Sequence, residues 1–394
     1  MKICDLTQFY SPVSGGVKRY IREKIRHLRR EGAGTHLLII PGERDERIAE
    51  EGATCYTVAS PLLSRKSGYR LLLRLEAVEA ILERERPDLI ESGDPYQVGW
   101  KSIGIGGRLR IPVVGFYHSH FPEAYVRGVA RLFGQAPTEW LMDASRRYVC
   151  ALYSRFERTL VPSPRLAKLL AGWGVGNVEA VDLGVDPARF TPLPDDAAAT
   201  RAALGIPDDG ATLCLYIGRL ALEKNTRTLF TAFERLTRSH PGRFRLLVVG
   251  DGLQRPIVEA VRERTGALTW LPYCDDAAQL ARLYRCADLF VHPGVQETFG
   301  LVTLESQACG TPVVGIRGSY MDRIIFGGQD HWATENTPEA LAGAIVRMAE
   351  NGLAEIGAQA SRAVHARYGW PRVFERLFGI YREAIAAYKH PDAL

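Results

Sequence analysis

Short apolar runs alternate with amphipathic segments along most of the chain. In the first half the runs include KICDLTQF, THLLIIP, TCYTVA, PDLIES and IPVVGFYH; in the second half they are ATLCLYIG, FRLLVVG, ALTWLP, ADLFVHP and TPVVGI. Segments with apolar residues at helical spacing, such as Val17–Glu31, lie between them. Alternating strands and helices are typical of parallel sheets covered on both faces by helices. The pattern therefore predicts an α/β chain with Rossmann-like, doubly wound domains.

A segment rich in proline and acidic residues, DLGVDPARFTPLPDD, separates the two series of strands. Such a composition is typical of a linker between domains, and a chain of 394 residues is long enough for two domains. We therefore expect an N-terminal domain over residues 1–187 and a C-terminal domain over residues 195–369.

The composition excludes several classes of protein. Apolar residues make up 46% and charged residues 24%, as in a soluble globular protein, and the net charge of +5 is too small for a dedicated nucleic-acid binder. The seven cysteines form no C-x-x-C pair, which argues for a reducing compartment and against a disulfide framework or a zinc site. Neither a signal peptide nor a run of membrane-spanning length is apparent, so we expect a cytoplasmic protein.

The segment His292–Gly315, HPGVQETFGLVTLESQACGTPVVG, combines the end of an apolar strand, a polar loop and a helix. We expect the helix to begin at Gly300 or Leu301, to stop at Gly310 and to be followed by another strand. A helix N-terminus presents unpaired backbone N–H groups and the positive end of the helix dipole, so this turn is a candidate phosphate site. The residues of the turn are Phe299, Gly300, Leu301 and Val302.

Two glutamates of this segment suit sugar binding, because an ionised carboxylate accepts hydrogen bonds on both oxygens. Glu297, in the loop, is placed to bind sugar hydroxyls, and Glu305, about one turn into the helix, to reach a ribose. A simpler interpretation makes Glu297 a helix cap and Glu305 a solvated side chain, since short motifs match by chance. The setting between two strands favours the binding site.

The segment resembles the signature of the family 4 glycosyltransferases, in which two glutamates separated by seven residues are followed by a helix and an AxGxPVV strand. The matching residues are Glu297, Phe299, Gly300, Glu305, Ala308, Gly310, Pro312 and Val313. The resemblance implies a GT-B fold, with two Rossmann-like domains facing across a cleft and a C-terminal crossover helix over residues 370–390 that joins the first domain.

Polar residues at the strand ends of the first domain are further candidates. Gly15 and Gly16 follow the first strand, at the edge where open α/β sheets bind ligands, although a tight turn explains them equally well. His118 and His120 follow IPVVGFYH, and on residue type alone either is more simply a packed or solvated histidine. The similarity of SGGVKRY and YHSHFP to family motifs implies that the glycines face the donor diphosphate and the acceptor, and that His118 contacts the transferred sugar. His120 is a second candidate.

In the second domain, Arg219 and Lys224 follow the strand ATLCLYIG and lie five residues apart, so that a loop can direct both cations at one point. A diphosphate leaving group gains negative charge as it departs, and fixed cations stabilise that charge. The two cations could instead merely cap the sheet. The similarity of GRLALEKN to the family sequence assigns them to the donor phosphates, and Gly250, in the GDG at the next strand end, to the nucleotide base.

Two basic segments raise the question of membrane contact. LLSRKSGYRLLLRL holds Arg65, Lys66, Arg70 and Arg74 without an acidic residue, and DASRRYVCALYSRFER mixes arginines with aromatic and aliphatic residues. Such faces are able to lie against anionic lipid headgroups, but helices with arginines over an ordinary core are the simpler interpretation. Attachment to the inner face of the cell membrane is therefore a hypothesis.

Together these residues, with the resemblance, predict a retaining hexosyltransferase that depends on a nucleotide sugar. We expect mannose from GDP or glucose from UDP as the donor, and a lipid or a cell-envelope glycan as the acceptor. The metal-binding motif D-x-D is absent from the sequence. We therefore expect no metal cofactor, with Arg219, Lys224 and the helix N-terminus in place of a divalent ion.

Alternatives remain open. A GT-B-fold sugar-nucleotide epimerase would need no acceptor, and a non-catalytic family member would be expected to have lost some of the candidate residues. An NAD-dependent oxidoreductase is disfavoured because G-x-G-x-x-G does not occur. The segment GSYMDRIIFGGQDHW departs from the commoner family pattern, with Asp322 and Trp332 where a glutamate and a GLLV run are usual, so the donor sugar is not fixed.

Overall fold

A computed structural model of the chain describes residues 1–10, 15–63, 68–118, 120, 122, 134–193, 197–319 and 321–389. The chain divides into two compact units. Unit 1 comprises Met1–Leu183 and Trp370–Leu394, and unit 2 comprises Gly184–Gly369. Each unit has its own sheet with helices packed against it, and nearly all strand pairs are parallel, so the predicted α/β class with two parallel-sheet domains is confirmed.

Unit 1 contains a mixed sheet with the strand order β3-β4-β2-β1-β5-β6-β7-β8. Its strands are β1 Lys2–Leu6, β2 Thr35–Gly42, β3 Glu46–Glu50, β4 Ala53–Ala59, β5 Leu89–Ser92, β6 Val113–Phe116, β7 Arg158–Val161 and β8 Val178–Ala180. Its first helices are α1 Gly16–Glu31, α2 Leu75–Glu85, α3 Gln97–Leu109, α4 Gln135–Tyr153 and α5 Pro164–Gly172. The central strands are buried because helices cover the sheet, as their continuous apolar sequences predict.

The edge strand β3, ERIAE, was not predicted from the sequence. It pairs with β4 in the antiparallel direction, and every one of its residues is exposed. Its charged side chains protect the open edge of the sheet from pairing with another chain. The first sheet is therefore parallel except at this edge.

Unit 2 contains a parallel sheet with the strand order β11-β10-β9-β12-β13. Its strands are β9 Thr212–Ile217, β10 Phe244–Val249, β11 Leu268–Leu271, β12 Leu289–Val291 and β13 Val313–Val314. Its helices are α6 Ala197–Ala203, α7 Thr226–Ser239, α8 Arg255–Thr265, α9 Ala277–Cys286, α10 Leu301–Ala308, α11 Pro338–Ala349 and α12 Leu353–Tyr368. A short 3-10 helix, Leu222–Lys224, precedes α7. The carboxyl ends of these parallel strands lie along one edge, where open α/β sheets bind ligands.

The last helix, α13 Trp370–Lys389, belongs to unit 1. Its apolar face packs against α1: the ring of Phe374 lies 6.1 Å from that of Tyr20, and Trp370 stacks on Phe374 at 5.0 Å. None of the helices in the described part of the chain is both long and apolar enough to cross a membrane.

A buried ionic cluster joins α13, α1 and the sheet of unit 1. Lys24 Nζ donates to Asp5 Oδ1 at 2.8 Å, to Glu91 Oε2 at 3.1 Å and to the Tyr381 hydroxyl at 3.1 Å. Tyr381 donates to Glu91, and His36 shares a hydrogen bond of 2.5 Å with Asp5. Buried charges of this kind are tolerated only when paired and hydrogen-bonded. The cluster therefore fixes the last helix on the N-terminal sheet.

Candidate functional site

An ion pair between Lys224 and Glu297 stands at the carboxyl edge of the unit 2 sheet. Lys224 ends the 3-10 helix after β9, and its Nζ lies 2.5 Å from Glu297 Oε1 in the loop after β12. The lysine side chain is 28% exposed and the glutamate 18%, so both retain access to solvent. Burial raises the pKa of Glu297, but the charge of Lys224, aided by His292 and Arg219, outweighs it and the pKa lies below the ordinary value. Glu297 is therefore an ionised acceptor.

The loop that carries Glu297 leads into α10, which begins at Leu301 as predicted. Gly300 is the N-cap residue and has a φ of +82°. The interpretation of Glu297 as the helix cap is therefore wrong, because its carboxylate is paired with Lys224 instead. Phe299, the first residue of the predicted turn, is buried, and Leu301 and Val302 are half-buried.

Glu305 lies inside α10 and is 1% exposed, so its interpretation as a solvated side chain is also wrong. The hydroxyl of Tyr284, on α9, donates to Glu305 Oε2 at 3.0 Å. A buried carboxylate needs such partners. The bond fixes the direction of the Glu305 side chain within the helix.

Arg219 and Lys224 share a loop but contact different carboxylates. Arg219 is 56% exposed, and its Nη1 lies 3.4 Å from Glu223 Oε1. The backbone of this loop is fixed, because the Leu220 N–H donates to Asp251 O at 3.0 Å and Tyr216 donates to the Arg219 carbonyl at 3.0 Å. Arg219 is thus a long, exposed cation on a fixed backbone, in the same loop as a lysine that is paired with Glu297.

Gly250 lies where the loops after β9 and β10 come together. Its φ is +145°, and a β-carbon there would stand 2.0 Å from the carbonyl oxygen of Gly218. Only glycine permits this approach of one backbone to the other. Packing between loops is thus sufficient to explain Gly250, whether or not a base binds beside it.

In unit 1, Gly15 and Gly16 are exposed at the start of α1, after β1. Gly15 is the N-cap residue, and a β-carbon added there would meet no atom of the described residues within 4 Å. Contacts with these residues therefore do not require glycine at this position.

The two candidate histidines have different surroundings. His118 follows β6 and is half-buried, with its ring stacked on Phe116 at 4.0 Å and beside Tyr20 at 5.5 Å. Burial lowers the pKa of His118 to about 3, and the charge of Lys24 acts in the same direction, so the imidazole is neutral at neutral pH. His120 is buried beside the ring of Trp173 at 5.7 Å, and its Nδ1 lies 3.5 Å from the Tyr117 hydroxyl. His118 is thus the more exposed of the two histidines.

Sequence reasoning assigned no role to two residues beside the Lys224–Glu297 pair. His292 directly follows β12 and is buried; burial lowers its pKa, while the charge of Glu297 opposes this shift. Asn225 follows Lys224 and adopts a φ of +56°. An asparagine directly after the lysine of this loop is a usable signal, because asparagine tolerates the left-handed conformation.

The segment after β13 is held by its own hydrogen bonds. Asp322 accepts from the Gly318 N–H at 2.7 Å and from the Ser319 hydroxyl at 2.8 Å, and Trp332 is buried. These contacts give Asp322 and Trp332 structural roles. Within the described ranges, His, Cys, Asp and Glu side chains form no group of three or more that could hold a metal ion.

Comparisons with known proteins match both halves of the chain. The profile described as Glycosyltransferase Family 4 matches residues 14–189, and that described as Glycosyl transferases group 1 matches residues 211–351. The D-inositol 3-phosphate glycosyltransferase of Segniliparus rotundus is 30% identical, over 94% of this chain and 85% of the relative. The GDP-mannose-dependent alpha-(1-6)-phosphatidylinositol dimannoside mannosyltransferase of Mycobacterium tuberculosis is 30% identical, over 88% of this chain and 87% of the relative.

Solved structures agree on the fold. Sucrose-phosphate synthase from Thermosynechococcus elongatus superposes with a TM-score of 0.75 at 21% identity, covering 98% of this chain and 99% of the other. Family models match both units, and relatives are 30% identical over at least 85% of either chain, so the chain belongs to the family 4 glycosyltransferases and has their GT-B fold.

Proposed function

We propose that this family member is a retaining hexosyltransferase whose unit 2 binds the nucleotide-sugar donor at the Lys224–Glu297 pair. GDP-mannose is the preferred candidate donor, because the mannosyltransferase relative is named for it, and UDP-glucose is the second. The observation that carries the proposal is the ion pair itself. A cation and an ionised carboxylate, both accessible, lie together at the ligand-binding edge of the sheet and beside the start of α10.

Each candidate residue has a role in this proposal. Lys224 and Arg219 bind the diphosphate and stabilise its charge as the sugar departs. Glu297 accepts hydrogen bonds from the sugar hydroxyls, and Glu305, oriented by Tyr284, accepts from the ribose. The first turn of α10 offers backbone N–H groups to the phosphates.

In unit 1, we assign Gly15 and Gly16, at the start of α1, to the acceptor and the donor diphosphate, and His118, after β6, to the transferred sugar. A neutral imidazole such as that of His118 can donate or accept one hydrogen bond at a sugar hydroxyl without adding charge. We assign no ligand to His120, whose ring packs beside Trp173 and whose Nδ1 faces the Tyr117 hydroxyl.

For the chemical step we propose front-face displacement with retention. The acceptor oxygen forms a bond to the anomeric carbon as the bond from that carbon to the phosphate oxygen breaks, and the acceptor proton passes to the departing phosphate. The only carboxylate assigned to the sugar, Glu297, is already paired with Lys224, which supports a binding role over attack on the anomeric carbon. Fixed cations take the place of a metal ion.

We also propose membrane attachment, which rests on α4 and not on the basic segment LLSRKSGYRLLLRL. Arg65 and Lys66 lie outside the described residues, and Arg70 and Arg74 pair with Glu43 at 2.6 Å and Asp45 at 2.7 Å. One face of α4 supports contact with anionic lipid. It carries Trp140, which is 64% exposed, and the exposed Arg147 seven residues later. The acceptor would then be a lipid-linked sugar or inositol at the inner face of the membrane, as the relatives' names suggest.

Flotation with vesicles containing phosphatidylglycerol tests the membrane proposal. We expect the protein to co-float at low salt and to do so less when Trp140 is replaced by serine. Failure of the wild type to co-float would contradict membrane attachment and leave the donor proposal intact.

The proposed function is tested by thermal shift and product analysis. We expect GDP-mannose or UDP-glucose to raise the unfolding temperature by mass action, and turnover to give an α-glycoside whose anomeric signal is measured by NMR. Turnover that survives EDTA treatment is expected as well. Absence of binding by GDP-, UDP- and ADP-sugars would contradict the proposal, and an epimerised nucleotide sugar as the sole product would show an isomerase instead.

A further inference from the structure

Asn225 occupies the junction between the 3-10 helix that carries Lys224 and the first turn of α7. Its backbone φ of +56° lies in the left-handed region, which asparagine adopts more readily than most non-glycine residues. This conformation turns the chain directly after Lys224. The position of the lysine therefore depends on the residue that follows it.

The Asn225 side chain connects three separate segments. Its Nδ2 donates to the carbonyl oxygen of Pro293 at 2.8 Å and to Asn336 Oδ1 at 2.6 Å, and its Oδ1 accepts from the Thr228 hydroxyl at 2.8 Å. Pro293 is buried two residues after the end of β12 and four residues before Glu297. A single amide group thus joins the segment that carries Lys224 to the segment that carries Glu297.

Two connections therefore bridge these segments, and they differ in kind. The Lys224–Glu297 ion pair joins groups that both have assigned ligands, so a bound donor competes with it. The Asn225–Pro293 hydrogen bond is neutral, and neither partner has an assigned ligand. It can persist while the donor is bound.

We infer that Asn225 is the positioning residue that keeps Lys224 and Glu297 facing each other when the donor diphosphate and sugar separate their ion pair. The inference rests on the proposed function, because that function gives Lys224 the diphosphate and Glu297 the sugar. Small displacements of catalytic groups cost large factors in rate, up to about 100-fold for ~1 Å. A hydrogen bond that sets their separation therefore acts on turnover more than on nucleotide affinity.

Substitutions separate the left-handed backbone conformation of Asn225 from its side-chain hydrogen bonds. Glycine retains access to the left-handed backbone but loses all three side-chain hydrogen bonds. Aspartate keeps an oxygen for Thr228 and loses both donated bonds, since an ionised carboxylate only accepts. Asn351 is a matched control: it lies in the same unit, and its side chain donates to the Arg347 carbonyl at 2.7 Å, outside the site.

The experiment compares wild type, Asn225→Gly and Asn351→Gly, using GDP-mannose or UDP-glucose, whichever the wild type turns over. We expect Asn225→Gly to lower kcat about 10- to 100-fold and to change the dissociation constant of the free nucleoside diphosphate less than about threefold. We expect Asn351→Gly to match the wild type in both. If Asn225→Gly lowers the unfolding temperature by more than about 5 °C, Asn225→Asp replaces it, with the same expected loss of kcat.

A pH profile distinguishes positioning from general destabilisation. The groups that face Glu297 are Lys224, Arg219, His292 and Tyr216. The charge of Lys224 lowers the pKa of Glu297. If Lys224 is held less firmly in Asn225→Gly, that pKa should rise and the acid limb of kcat/KM should move toward higher pH. A loss of folded enzyme alone would not move it. A kcat within twofold of wild type with an unmoved acid limb would overturn the inference while the transferase proposal stands. A wild type that turns over no nucleotide sugar would overturn both.

Discussion

The terminal methyl of Met321 lies where a side chain on Gly300 would have to begin. A β-carbon built on Gly300 would stand 2.2 Å from Met321 Cε and 2.7 Å from its Sδ, and the glycine φ of +82° is itself unfavourable for other residues. Gly300→Ala should therefore lower the free energy of unfolding by about 2 kcal/mol or more, from backbone strain and crowding together. Urea denaturation measures this loss.

The double variant Gly300→Ala/Met321→Ala separates the two causes. Removing the methionine side chain should relieve the crowding, so the two substitutions should be less destabilising together than the sum of their separate effects. Additive effects within about 0.5 kcal/mol would show that Met321 does not crowd this turn.

Asp94 should make unit 1 less stable as the pH rises. It is buried beside the end of β1, where the Gln8 N–H donates to its Oδ2 at 2.7 Å, and burial raises its pKa to about 7. The pKa of Asp94 in the folded protein exceeds its pKa in the unfolded chain. The stabilisation from the protonated Asp94 side chain is therefore complete below about pH 4 and is lost as the pH rises through about 7. Asp94→Asn should remove this loss and be more stable than the wild type at pH 8, by on the order of 1 kcal/mol.

Urea denaturation of both proteins at pH 5 and pH 8 measures that difference. The exposed Asp143, paired with Arg146, supplies the control substitution Asp143→Asn, for which we expect no comparable change between the two pH values. If the free energy of unfolding of Asp94→Asn has the same pH dependence as that of the wild type, the raised pKa of Asp94 is contradicted.

The buried cluster around Lys24 should be sensitive to the loss of its only lysine. Lys24→Ala leaves Asp5 and Glu91 buried without the cation between them, so we expect a loss of about 3–5 kcal/mol in unfolding free energy. Burial already raises the pKa of Glu91 to about 7, with the charge of Lys24 opposing it. The loss in Lys24→Ala should consequently be smaller at pH 5, where Glu91 is protonated. A loss below about 1 kcal/mol at pH 8 would be incompatible with this cluster.

The sequence predicted most of the fold because its signals are local. Apolar runs of four to eight residues identify buried parallel strands directly, and the start of α10 at Leu301 followed from the glycine before it. The strand β3 escaped prediction because ERIAE is exposed along its whole length and pairs only at the sheet edge. This strand forms because it pairs with β4, and its own residue pattern does not indicate that pairing.

The contacts of charged side chains were harder to predict than their positions. Lys224 and Glu297 were both identified as candidates, but their pairing spans 73 residues and no local spacing reveals it. Arg70 and Arg74 are similar: the segment LLSRKSGYRLLLRL that holds them contains no acidic residue, whereas the partners of their shortest ion pairs, Glu43 and Asp45, lie 27 and 29 residues earlier. Sequence alone therefore overstated the exposed positive charge of this segment.

The central claim is that Glu297 binds the sugar of the donor while Lys224 binds its diphosphate. The most direct test measures kcat with the donor and the dissociation constant of the nucleoside diphosphate in Glu297→Gln, with Glu259→Gln, an exposed residue paired with Arg255, as the control. We predict a fall in kcat of about 100-fold or more, with diphosphate affinity unchanged or higher because Lys224 is released from its ion pair. A kcat within twofold of the wild type would contradict the claim.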